Sequence, residues 1–202
     1  MSHFAVKREG ASFLFKCKYI YAFQLFKSSF FKQVEEGNFT MDGNIAFVII
    51  CAALVFFMTP GLSCFYGGLV RRKNAINTMF ASVVSIGIGI VMWVLFGYSL
   101  SFGTNHFGII GDLNWIGLEG VSLTESYVEG QQIPNMVFCL FQMMFAVITP
   151  ALITGAVAGR MKFKALFVFL ILWSIVVYYP LAHMVWGDGG FLAEIGSIDF
   201  AG

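Results

Sequence analysis

Charge is scarce in this chain: Lys, Arg, Asp and Glu supply 11% of its 202 residues, against roughly a quarter in an ordinary soluble domain. With 58% hydrophobic residues and a mean hydropathy of +0.81, too few polar side chains remain to cover a water-soluble fold. An excess of either sign is also lacking. A net charge of +1 gives no nucleic-acid footprint and no preference for acidic substrates. The four cysteines include no C-x-x-C pair, and Cys51, Cys64 and Cys139 lie in apolar stretches, where they read as small buried hydrophobes without fixing a redox compartment. Beyond residue 40 the histidines are His106 and His183. Neither has a partner at zinc-binding spacing or sits in a nucleophile motif, so no enzyme class gains support. A lone histidine at a helix end, as His183 is, reads as structural.

What the chain has instead is long uncharged runs. Residues 44–70, 74–111, 130–159 and 165–187 contain no Lys, Arg, Asp or Glu. The shortest would reach ~34 Å as a helix, enough to cross a hydrocarbon core of about 30 Å. Four membrane spans follow, and the fold class is all-α: a polytopic transmembrane bundle. Pro60-Gly61 loosens the first span near its middle. In the second, about 75–103, Ala81, Ser85 and Gly89 recur four apart on one face; in the third, about 133–158, Ala151, Gly155 and Gly159 repeat the pattern. Small residues at that spacing let helices approach closely, as membrane packing requires. The fourth span, about 165–180, ends at Pro180. Beyond it Leu181–Gly202 abandons helical regularity, with Gly187, Gly189 and Gly190 close behind Trp186, and reads as the mouth of a pore.

The few charges are sorted. After Met41 the six basic residues fall in two short connections, Arg71-Arg72-Lys73 and Arg160/Lys162/Lys164. Asp112, Glu119, Glu125 and Glu129 occupy the connection between the second and third spans, and Asp188, Glu194 and Asp199 follow the fourth. The positive-inside bias places the basic turns in the cytoplasm and the amino terminus of the first helix outside, in a multi-pass protein of the cell membrane. Residues 1–40 differ from the rest, mixing Lys with Phe and Tyr and never running uncharged long enough to span. They read either as an interfacial amphipathic segment or as an extension ahead of a start at Met41.

The side chains left to carry chemistry are aromatic: Phe141 and Phe145, one turn apart on one helix face, and Trp186. Aromatic faces attract cations, Trp most strongly. In a chain with 24 Phe, packing against lipid or neighbouring helices is the competing reading for each.

Four motifs then converge. FYGGLVRRKN (Phe65–Asn74), FQMMFAVITPALITGAVAGRMKF (Phe141–Phe163), AHMVWG (Ala182–Gly187) and DFAG (Asp199–Gly202) together closely resemble the ammonium transporter (Amt/Mep/Rh) family. The resemblance runs from about Asn44 to Gly202 and makes residues 41–202 a partial ammonium transporter domain: four complete transmembrane helices plus the outer pore-mouth segment. It implies the first half of an inverted-repeat transporter, assembled as a homotrimer in the lipid bilayer, for ammonium or methylammonium. It implies that Phe145 and Trp186 line the outer vestibule where ammonium is recruited, with Phe141 beside them. It implies that Asp199 is a buried acid that organises the site. No cofactor is implied. The family's pore histidines fall beyond Gly202, so the first half alone reads as a fragment. Two departures stand out: Gly159 before Arg160, where the family often has an acid, and Asp188, an extra residue in the glycine-rich turn. The rival to a transporter is an ammonium sensor, and a PII-type signalling protein on the cytoplasmic face is an implied partner to which the basic turns could contribute.

Overall fold

The computed structural model describes residues 43–127 and 133–199. The N-terminal extension, Asp42, Glu129 and the last three residues of DFAG lie outside the described residues. Among the described residues four helices are long and apolar enough to cross a membrane. Helix α1 spans Gly43–Leu69, α2 spans Arg72–Phe102 and α3 spans Asn135–Ala156. Helix α4 is built from Phe163–Trp173, a π-helical turn at Ser174–Tyr178, and Tyr179–Trp186. One turn, α5, follows at Phe191–Glu194. In hydrocarbon every backbone polar group needs an internal partner, and a continuous helix supplies it. Helix α1 accordingly runs unbroken through Pro60 and α3 through Pro150.

Helices α1, α2 and α3 pack against one another, and α4 leans chiefly on the far half of α2. The distribution of polarity reverses that of a soluble bundle. Phe47, Phe57, Ile76 and Val176 are exposed, whereas Thr59, Ser63, Ser82, Ser85 and Thr154 are buried between helices. Without a hydrophobic drive in lipid, association rests on close packing and interhelical hydrogen bonds. Both are present. Ser82 Oγ and Thr154 Oγ1 share a 2.7 Å hydrogen bond, and Ser63 Oγ donates to the Met79 carbonyl at 2.9 Å. The expected small-residue positions pack against neighbouring helices, Gly89 on α3 and Gly155 on α1. A Cβ on Gly89 would lie 3.0 Å from Val147 Cα, and Gly155 packs under the Tyr66 ring, whose hydroxyl donates to the Leu152 carbonyl at 3.0 Å. Gly159 does not share that face: it lies past the end of α3 in a left-handed turn with φ +71°. An acid there would be strained, which accounts for the glycine.

Two expectations are corrected. Helix α2 begins at Arg72 rather than near Ala75, because a cation at a helix end can stay in the headgroup layer. Pro180 does not end the fourth helix, which continues to Trp186. In a regular α-helix Pro180 would lose one hydrogen bond and crowd an earlier carbonyl. The wide π turn at Ser174–Tyr178 directly before it relieves both demands. A matching π turn at Trp93–Gly97 in α2 faces it across the Tyr179 ring. That ring lies 6.0 Å from Trp93 and 6.2 Å from Phe96, and a Cβ on Gly97 would stand 2.7 Å from its Cζ. The irregular mouth therefore starts at Gly187, not Leu181.

Candidate functional site

The acidic end of the bundle is tied together by hydrogen bonds between α4, a small hairpin and the loop before α3. Strands β1 (Asn105–His106) and β2 (Ile110–Gly111) pair antiparallel just after α2. His183, fully buried one turn before Trp186, places Nδ1 3.1 Å from the Ser101 carbonyl and Nε2 3.2 Å from Asn105 Oδ1. The same Asn105 donates from Nδ2 to the Gly189 carbonyl at 2.7 Å and accepts from the Gly108 amide at 2.7 Å. His183 is thus a structural histidine, as its isolation in sequence indicated.

Around this framework lies a cleft of about 1090 Å³ whose wall includes Trp186, Tyr127, Trp115, Glu125 and Asp188. Tyr127 stacks on Phe138 at 4.9 Å and 7° between ring planes, and its hydroxyl accepts from the Asp188 amide at 3.4 Å. Burial raises the Tyr127 phenol above its ordinary pKa, the Asp188 amide only partly opposing this, so the cleft presents a neutral hydroxyl there. Trp115 stacks on Tyr98 at 5.6 Å. Tyr98 in turn bonds Asn135 at the start of α3.

Trp186 is half-buried at the end of α4, and its indole N–H donates to Asp199 Oδ2 at 2.7 Å. That bond fixes the edge of the ring. No other aromatic ring packs on its faces among the described residues. Asp199 is exposed, against the burial implied by resemblance, in the non-helical segment that follows the turn at residues 195–196. Phe141 and Phe145 pair as the helical spacing predicts, at 5.1 Å and 75°. Both are half-buried, on the less covered side of α3. The structure therefore makes two pairs, Trp186 with Asp199 and Phe141 with Phe145, with no ring contact between them among the described residues. Tyr127, Trp115 and Glu125 were missed by sequence reasoning. The signal available was an aromatic residue set between acids twice in one loop, Trp115 between Asp112 and Glu119 and Tyr127 between Glu125 and Glu129.

Comparison with known proteins decides what this end belongs to. The profile of the Ammonium Transporter Family matches residues 46–202. The chain belongs to the ammonium transporter family. It is 48% identical over 160 residues to an ammonium transporter of Bacillus subtilis (strain 168), covering 79% of this chain and 39% of that protein. It is 44% identical over 161 residues to the ammonium transporter Amt1 of Archaeoglobus fulgidus, covering 80% and 38%. The crystal structure of Candida albicans Mep2 superposes with a TM-score of 0.71 at 35% identity, covering 78% of this chain and 34% of that one. A sensor Amt protein superposes with a TM-score of 0.72 at 28% identity, covering 79% and 39%. The chain thus spans about two fifths of the length of the curated relatives it matches. Membership in this non-enzymatic family agrees with a multi-pass α-helical membrane protein of four described spans.

Proposed function

We propose that this ammonium transporter chain recruits ammonium at the cleft of its acidic end and passes ammonium or ammonia into a narrow hydrophobic pore, serving nitrogen uptake. The observation that carries the reading is Trp186: a half-buried indole on the wall of the cleft, held by its N–H and, among the described residues, with no ring stacked on its faces. An ammonium ion loses several kcal/mol on leaving water. An indole face returns about 0.5 to 2 kcal/mol, and the carboxylates of Glu125 and Asp188 raise the local cation concentration. Phe145, with Phe141 beside it, lies deeper along α3 and forms the next aromatic step inward. Asp199 acts through Trp186 by orienting the indole. In this reading the acidic end faces outward, the basic turns face the cytoplasm, the chain is the first half of an inverted repeat, and the working protein is a homotrimer.

Trp186→Leu, in cells whose ammonium uptake depends on this protein, keeps an apolar side chain and removes the cation-binding face. Half-saturation for methylammonium should rise about twofold to thirtyfold, the range set by 0.5 to 2 kcal/mol, while the maximal rate changes little. A fall in maximal rate at unchanged half-saturation would remove Trp186 from recruitment. The match to a sensor Amt protein favours a second reading, an ammonium sensor that signals to a cytoplasmic partner such as a PII-type protein. Binding without uptake distinguishes it.

A further inference from the structure

The opposite end of the bundle carries six cationic side chains. Arg71, Arg72 and Lys73 stand at the junction of α1 with α2 and in its first turn, and Arg160, Lys162 and Lys164 at the junction of α3 with α4 and in its first turn, all exposed. Two contacts bring these turns together. A Cβ on Gly159 would lie 3.3 Å from the Asn74 side-chain nitrogen, and the Phe163 ring is 5.9 Å from Phe80. Among the described residues none of the six is paired with a carboxylate. The described acids lie at the other end, in its loops and in the short helix α5. Between Leu69 and Arg72 only two residues separate the helices, so this turn does not rise far above the helix ends. Apolar side chains border the cations directly, with Leu69, Ile76, Phe80, Met161 and Phe163 all exposed. That sequence of groups, apolar and then cationic within one turn, marks the level where hydrocarbon gives way to headgroups.

We propose that the two turns form one binding surface for the phosphodiester headgroups of anionic phospholipids. Long cationic side chains at helix ends extend to the headgroup layer, where each near-surface cation gains from an anionic leaflet. Arg guanidinium groups match phosphate oxygens with two parallel donors. Helices α2 and α4 also start here, and their N-cap residues Arg71 and Lys162 make no side-chain capping bond, so the helix dipoles add to a field of the same sign. An acidic protein is the rival occupant. It would have to reach cations lying at the border of the lipid, beside exposed Leu69 and Phe163, and that position favours the lipid itself.

The test uses the whole protein in nanodiscs of phosphatidylcholine doped with spin-labelled phosphatidylglycerol or spin-labelled phosphatidylcholine, reading the fraction of label held at the protein boundary. We expect phosphatidylglycerol to be retained about fivefold in preference, the ratio supplied by one near-surface cation. The preference should approach unity in 1 M salt, where the screening length falls to about 3 Å. It should vanish in R71Q/R72Q/K73Q/R160Q/K162Q/K164Q and persist in R71K/R72K/R160K, which keeps every charge. Tryptophan emission of each variant verifies the fold, and neutralising one turn at a time should leave an intermediate preference. Equal retention of the two lipids by the parent, or an unchanged preference after all six substitutions, overturns the proposal. So does capture of a PII-type protein by this surface in the absence of any lipid preference. None of these outcomes depends on Trp186 or on ammonium uptake.

Discussion

Placing a side chain at Gly89 probes the step of the fold on which the rest depends, the approach of α2 to α3. A Cβ there would stand 3.0 Å from Val147 Cα, 3.1 Å from Val147 Cγ2 and 3.2 Å from the Ala146 carbonyl. Carbon atoms rest at about 3.5 to 4.0 Å, so Gly89→Ala forces the backbones apart by roughly half an ångström. Two of the three obstructing atoms are backbone, which cannot rotate away. Overpacking of this kind costs about 1 to 3 kcal/mol, and replacing a helical glycine by alanine returns about 1 kcal/mol. The net expectation for Gly89→Ala is a loss of about 0 to 2 kcal/mol. Gly89→Leu brings three further carbons into the same gap and should lose about 3 kcal/mol or more. Gly61 supplies the control, since nothing lies within 4 Å of a Cβ built there. Gly61→Ala should be neutral or stabilise by up to about 1 kcal/mol. Unfolding of the purified protein from mild detergent by titrated SDS, followed by emission of the buried Trp93, orders the variants. If Gly89→Leu unfolds at the same SDS fraction as the parent, the close contact of α2 with α3 does not hold the bundle together.

Thr59 is fully buried and its hydroxyl has no hydrogen-bond partner among the described residues; Thr59→Val should raise stability by about 1 kcal/mol, and a lower melting temperature would show that the hydroxyl is paired in the membrane. Asn105→Ala removes the bonds to Gly189, Gly108 and His183 and should cost about 2 to 3 kcal/mol, read as a drop in thermal stability in detergent, with Asn105→Asp losing less because the acceptor survives. In a background without native cysteines, a cysteine near Glu119 should react with an impermeant thiol reagent on intact cells, and one near Lys73 only after the membrane is opened; the reverse pattern would invert the orientation inferred from the basic turns.

The spans were legible because lipid imposes so simple a rule. Runs without charge had to become continuous helices, and 44–70, 74–111, 130–159 and 165–187 each supply most of one. The pairing of Phe141 with Phe145 was legible for a related reason, since helical spacing alone makes it. What escaped was whatever depends on a distant partner. Pro180 signals a helix end in any local reading. The π turn that carries the helix past it packs through Tyr179 against Gly97, more than eighty positions earlier in the sequence. Trp115 and Tyr127 gave no periodic signal because they sit in a loop, and only their stacking on Tyr98 and Phe138 brings them to the cleft.

The glycines after Trp186 show what a glycine-rich turn approaches. Their spacing indicates close approach, and close approach is what the structure contains. The groups approached belong to the protein itself. A Cβ on Gly187 would lie 2.6 Å from the His183 carbonyl oxygen, one on Gly190 2.5 Å from the Met184 carbonyl oxygen, and one on Gly189 2.6 Å from the Asn105 side-chain nitrogen. Gly189 also needs its positive φ of +68°, which a residue with a side chain adopts only at a cost. These glycines fold the chain back over the end of α4 and bring Asp188 within reach of Tyr127. The backbone of the turn is therefore committed to building the mouth. In our proposal, attraction of a cation at this end falls to side chains, the indole of Trp186 and the carboxylates of Glu125 and Asp188. Asp188 adds a carboxylate to that end from a position between two of the glycines that close the turn.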